Sequence, residues 1–151
     1  MKRNGNYNFA WGRATIIALA LSLPLAIAAC TAPAADITMS PPASFKKVSS
    51  LVKLPDFLPG LGTLYVDPST LPVGPFLGYN HNERLVNIIY MVPLKDLDAH
   101  KNFETLGGVA TGAQVNHTDI QYNPGHPGVE EPHYHIVQWL ISPAAVKAEM
   151  Q

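Results

Sequence analysis

The apolar residues of this chain come as one long uncharged run followed by many short ones. The long run is residues 14–29 (ATIIALALSLPLAIAA), with Lys2, Arg3 and Arg13 ahead of it. Residues 31–44 (TAPAADITMSPPAS) are small, polar and proline-bearing, the composition of a tether. Beyond it, Ser44 is placed to cap a short amphipathic helix carrying Phe45, Val48, Leu51 and Val52 on one face and ending before Pro55. The PDFLPG stretch at 55–60 breaks regular structure again.

From Gly62 onward the pattern changes to that of strands. Residues 63–66 (TLYV) make a short one, stopped by Asp67-Pro68. Residues 76–79 (FLGY) and 85–92 (LVNIIYMV) flank Asn80-His81-Asn82-Glu83, and asparagines tolerate the left-handed backbone of a turn, so a hairpin is predicted. The second of these strands has few polar positions, which predicts burial on both faces. Residues 93–106 (PLKDLDAHKNFETL) contain helix formers and meet a Gly107-Gly108 stop, although Leu94, Leu97, Phe103 and Leu106 form no single stripe; a short helix is expected there. Two more strands lie within 115–141, and Ser142-Pro143 reads as an N-cap followed by proline at the first helical position.

The expected fold is therefore mainly β: a small antiparallel sheet or barrel-like domain with one or two short helices, preceded by a signal peptide. The organisation is a signal peptide at 1–29, a tether at 30–44 and a single β-rich domain at 45–151. A length of 151 residues leaves room for one domain. The 14 prolines favour short strands joined by turns over long helices. A formal net charge of −1 supplies no basic field for nucleic acid, so no nucleic-acid partner is expected.

The uncharged run is shorter than the ~20 residues of a spanning helix and is interrupted by Pro24, which distinguishes a secretory signal from a retained anchor. The only cysteine, Cys30, follows Ile27-Ala28-Ala29 directly. That junction resembles the lipobox of bacterial lipoproteins, in which the cysteine is lipidated and becomes the mature N-terminus. Ordinary signal-peptidase cleavage after Ala34 is the competing reading. The expected location is the bacterial outer membrane or cell envelope, with the N-terminal lipid as the membrane contact, and otherwise the periplasm or the exterior. Loss of residues 1–29 removes three of ten cations and none of eleven acids, leaving seven minus eleven, or −4. With no cysteine after position 30 there is no internal disulfide, so packing or a metal must stabilise the domain.

The candidate chemistry lies between 115 and 141 (VNHTDIQYNPGHPGVEEPHYHIVQWLI), which holds four of the six histidines. Residues two apart in a strand share a face, so His133 pairs with His135 and His117 with Asp119. An antiparallel pairing that sets His117 opposite His135 and Asp119 opposite His133 would gather three imidazoles and a carboxylate on one patch. Such a patch suits zinc, copper or another divalent transition metal. His126, between Gly125 and Pro127, is in a position to fold over it. Glu130 and Glu131 could act as base were the site an enzyme. Val137, Trp139 and Ile141 continue the His133–His135 face and are expected to be core. His81 and His100 have no second ligand at strand or helix spacing and read as structural or solvated.

These residues resemble the motifs of the DUF5602 or TTHB-type stress-associated proteins, a secreted bacterial family without assigned function. The matching positions are His117-Thr118-Asp119, Gly125-His126 and Pro132-His133-Tyr134-His135-Ile136-Val137, with Leu71-Pro72-Val73-Gly74-Pro75 and Met91-Val92-Pro93-Leu94 upstream. His135 stands where that family has aspartate, and Val137 where it has a second histidine. The resemblance implies a β-rich domain and an export route, and no reaction. The His-x-His strand is also similar to the cupin metal motif, but the glutamate that follows in cupins is replaced here by Ile136-Val137-Gln138-Trp139.

The sequence thus predicts an exported, lipid-anchored envelope protein that binds a divalent transition metal through His117, His133 and His135, with Asp119 or His126 completing the shell. A small cupin-like metalloenzyme and a metal-free envelope interaction module are the alternatives.

Overall fold

Residues 85–93 are the most continuously apolar part of the domain, and they form its central strand. In the computed structural model, which describes residues 39–107, 112 and 114–151, six strands are present: β1 (Lys46–Lys47), β2 (Thr63–Val66), β3 (Phe76–Tyr79), β4 (Leu85–Pro93), β5 (His117–Asn123) and β6 (His133–Trp139). Two short helices accompany them, α1 (Leu94–Asp98) and α2 (Pro143–Glu149). The signal segment at 1–29, Cys30 and residues 31–38 of the tether lie outside the described residues. Among the described residues no helix is long and apolar enough to cross a membrane.

All six strands lie in one sheet in the order β1-β2-β3-β4-β6-β5, every pair antiparallel. The sheet is open, with β1 and β5 as edges. Strand alternation sends Phe76, Ile89, Met91, Val137 and Trp139 to one face, where they pack with Val66, Ile141 and Met150. Leu77 and Ile88 point the other way and pack with Tyr79 and Leu85. Both sides of β4 are thereby covered, as its composition predicts: only Tyr90 of its nine residues is not buried.

The 76–79 and 85–92 strands form the expected hairpin. Asn80 shapes its turn, its Oδ1 accepting from the backbone N–H groups of Asn82 and Arg84 at 3.0 Å each. Ser142 also caps α2 as expected, its Oγ accepting from Ala145 N–H at 3.3 Å.

Two helical expectations are corrected. The segment after Ser44 is the edge strand β1, paired with Val66 and Tyr65, followed by a 3-10 turn at Val48–Ser50. Helix nucleation is costly, and the few residues between Pro42 and Pro55 gain more by extending the sheet. The helix predicted at 93–106 stops after Asp98, with His100 in the left-handed region at φ 56°. Its scattered leucines give it no packing face, and Leu97 and Leu106 are exposed.

A close approach at Gly78 ties the remaining loop to the sheet. Gly78 pairs with Asn87, whose buried amide donates to the carbonyl of Leu61 at 3.0 Å. A Cβ on Gly78 would collide with both Asn87 Oδ1 and the Leu61 carbonyl. The 58–62 turn can reach the sheet because position 78 carries no side chain.

A candidate metal centre on the face of β6

His133 and His135 are two apart on β6 and share its inward face. Both are buried, at 0 % and 7 % relative exposure. Below them on the same face, Val137 and Trp139 are core, as the alternation predicts. Burying two imidazoles is costly unless their polar atoms find partners, and those partners define the site.

The third ring arrives from the β5–β6 loop. Gly125, at φ 130°, turns the chain so closely that a Cβ there would strike the carbonyl of Glu130. Asn123 Oδ1 accepts from Gly125 N–H at 2.9 Å. His126 and Val129 then exchange two backbone hydrogen bonds, both 2.9 Å, closing a small loop that lays the His126 ring over β6. Its centroid lies 4.9 Å from that of His133 and 5.6 Å from that of His135. One nitrogen from each ring falls in a cluster whose members all lie within 4.8 Å of one another.

Backbone carbonyls orient two of these rings. His133 Nδ1 is 2.7 Å from the carbonyl of Glu131, and His126 Nδ1 is 3.1 Å from that of Pro127. A carbonyl only accepts, so each Nδ1 carries the proton and each Nε2 is left with its lone pair. Metal-ligating histidines are held in the same way, by a donated hydrogen bond from the far nitrogen. Across the cluster, His133 Nε2 and His135 Nε2 are 2.9 Å apart. Tetrahedral ligands at zinc distances stand roughly 3.3 Å from each other, so a small parting of these two rings would admit an ion.

The electrostatics keep the His135 ring available. Burial pushes the His135 imidazole down to about 4, and the neighbouring His133 and His126 add to the shift. It is therefore neutral near pH 7, the form in which imidazole ligates. Among the described residues no carboxylate belongs to the cluster, so three neutral rings would leave the charge of a divalent ion uncompensated.

His117 and Asp119 are not in this cluster. The β5–β6 ladder sets His117 opposite Trp139, four residues from the expected partner His135, and sets Asn123 opposite His133. A displacement by an even number keeps the predicted faces and changes every partner. His117 instead stacks on Trp139, with ring centroids 6.0 Å apart, and Asp119 accepts from the Trp139 indole N–H at 2.9 Å. The long connection between the strands leaves register to side-chain packing, and the indole, which needs an acceptor once buried, decides it. Glu131 pairs its carboxylate with Lys95 at 2.6 Å, and Glu130 is exposed. His81 stacks on Phe57 at 3.7 Å, and His100 is exposed. Asn123, which bounds the cluster and anchors its loop, was not among the predicted site residues; its parity with His117 and Asp119 was the available signal.

Neither a protein-family model nor a curated protein matches the chain. Among solved structures it is similar to the crystal structure of the hypothetical protein TTHB210 from Thermus thermophilus. The two are 43 % identical, with a TM-score of 0.57, over 64 % of this chain and 87 % of that one.

Proposed function

The chain belongs to the family of the hypothetical protein TTHB210, and from that footing we propose that it is an exported, lipid-anchored envelope protein binding one divalent transition metal, zinc or copper, through His126, His133 and His135. The observation that carries the metal is the convergence of three imidazole nitrogens, two of them oriented by backbone carbonyls. The metal stabilises a domain without disulfides and holds the 124–132 loop against β6. Assignment within the DUF5602 proteins rests on the Gly125-His126 and Pro132-His133 motifs. Export and the lipid rest on the uncharged run and on Cys30.

Binding is a better reading than catalysis. A metal hydrolase needs a base beside the bound water, and of the two nearby acids Glu131 is engaged with Lys95 while Glu130 is exposed.

Metal analysis of the purified full chain, before and after chelation, is the test. One ion per chain, absent from a His126→Ala/His133→Ala/His135→Ala variant, is the expected result. A triple variant that retains the same metal content would overturn the ligand set, and a protein that takes up no metal would leave the interaction module. Fatty-acid labelling that persists in Cys30→Ser would overturn the lipid anchor.

A further inference from the structure

Beside the histidines lies a cavity of about 310 Å³. Its walls come from parts of the chain far apart in sequence: Leu54 before β2, Leu64 and Val66 on β2, Met91 on β4. They are apolar almost throughout. The polar side chains that reach it are Asn123, His126 and His135, and these form one contiguous group, because Asn123 pairs across from His133. The cavity is thus an apolar chamber with two of the three clustered histidines, His126 and His135, in its wall, the usual form of a small-molecule site: apolar walls and a few convergent polar groups.

We infer that this chamber binds a medium-chain aliphatic carboxylate, its head on the metal and its chain among Leu54, Leu64, Val66 and Met91. The inference rests on the proposed metal site. Two observations select the occupant. Three neutral imidazoles leave a divalent ion with its charge uncompensated in a buried place, which calls for an anion as the fourth ligand. The walls leading away from that point offer a tail nothing but apolar contact. Counting about 30 Å³ for each water-sized group, the volume accepts on the order of ten of them, or a chain of roughly eight to ten carbons.

The probe is decanoate, titrated calorimetrically into the full chain after zinc loading and again after chelation. One decanoate per zinc-loaded chain is expected, with affinity about tenfold or more lower once zinc is removed. Each buried methylene multiplies affinity roughly fourfold, so acetate should bind far more weakly and decanol, lacking the charge, should not respond to zinc. Leu64→Trp should fill the chamber and abolish decanoate binding while zinc stoichiometry stays the same; Leu54→Trp serves should the first variant not fold. A zinc-loaded protein that ignores decanoate would overturn the inference and leave the metal site standing. Decanoate binding indifferent to chelation, or to both tryptophan variants, would also overturn it. Failure of zinc itself to bind is read separately, from metal content.

Discussion

His133 Nε2 and His135 Nε2 face each other at 2.9 Å, and on its far side His133 Nδ1 is 2.7 Å from the Glu131 carbonyl. The carbonyl accepts a hydrogen bond from Nδ1–H, which keeps the ring's proton on that nitrogen, so His133 Nε2 offers only a lone pair to its neighbour. Without metal, His135 must supply the shared hydrogen from Nε2. With metal, both nitrogens must be bare, and the His135 proton moves to Nδ1. Nitrogen-edited NMR of the imidazoles should therefore show His135 changing tautomer on zinc addition while His133 keeps its own. A His135 ring with one tautomer in both states would contradict the shared site.

The same ring makes metal-free stability depend on pH. His135 titrates near 4 in the fold, against 6.5 when solvated. Between those values the unfolded chain binds a proton that the folded one does not, so stability falls as pH drops through 6.5 and levels off below about 4. Urea midpoints of the chelated protein should trace that decline, and His135→Gln should flatten it. Equal slopes for the two proteins over this window would assign the pH dependence elsewhere.

His117 and Asp119 should be separable from metal binding. Asp119→Ala strands the Trp139 indole N–H, which is almost fully buried, at a cost of about 1–2 kcal/mol. Its metal content should be unchanged, as should that of His117→Ala. Denaturation with parallel metal analysis checks both. Loss of metal from either variant would return these residues to the coordination shell.

Much of this was legible because β structure writes itself in alternation. His133, His135, Val137 and Trp139 could be placed on one face from their spacing, and β4 recognised as covered on both faces from its lack of polar positions. Ligand identity depended on register, which alternation does not supply: β5 shifted by four residues keeps every side chain on its predicted face yet puts Asn123 in place of Asp119 opposite His133 and Gln121 in place of His117 opposite His135. His126 joined the cluster through a turn built on Gly125, a local geometry that the Gly-His-Pro sequence allows without requiring. The chamber was not legible. Its walls come from segments read separately as a helix, a breaker and a strand, and only the packing of 48–61 against the sheet brings them together.

That turn yields a paired prediction, in which one glycine should govern affinity and another only stability. Gly125 holds φ 130°, and a Cβ would meet the Glu130 carbonyl, so Gly125→Ala must open the loop and withdraw His126. Gly78→Ala collides with Asn87 and Leu61 within the sheet instead, costing about 1–3 kcal/mol of overpacking without moving a ligand. Both variants should melt earlier than the parent protein. Only Gly125→Ala should also weaken zinc, by about tenfold to a hundredfold, the loss seen when groups that orient a ligand are removed. Zinc competition assays on the two proteins, at a temperature where both are folded, compare them directly. Equal affinities would mean that His133 and His135 bind the ion without the loop, and that His126 is a bystander.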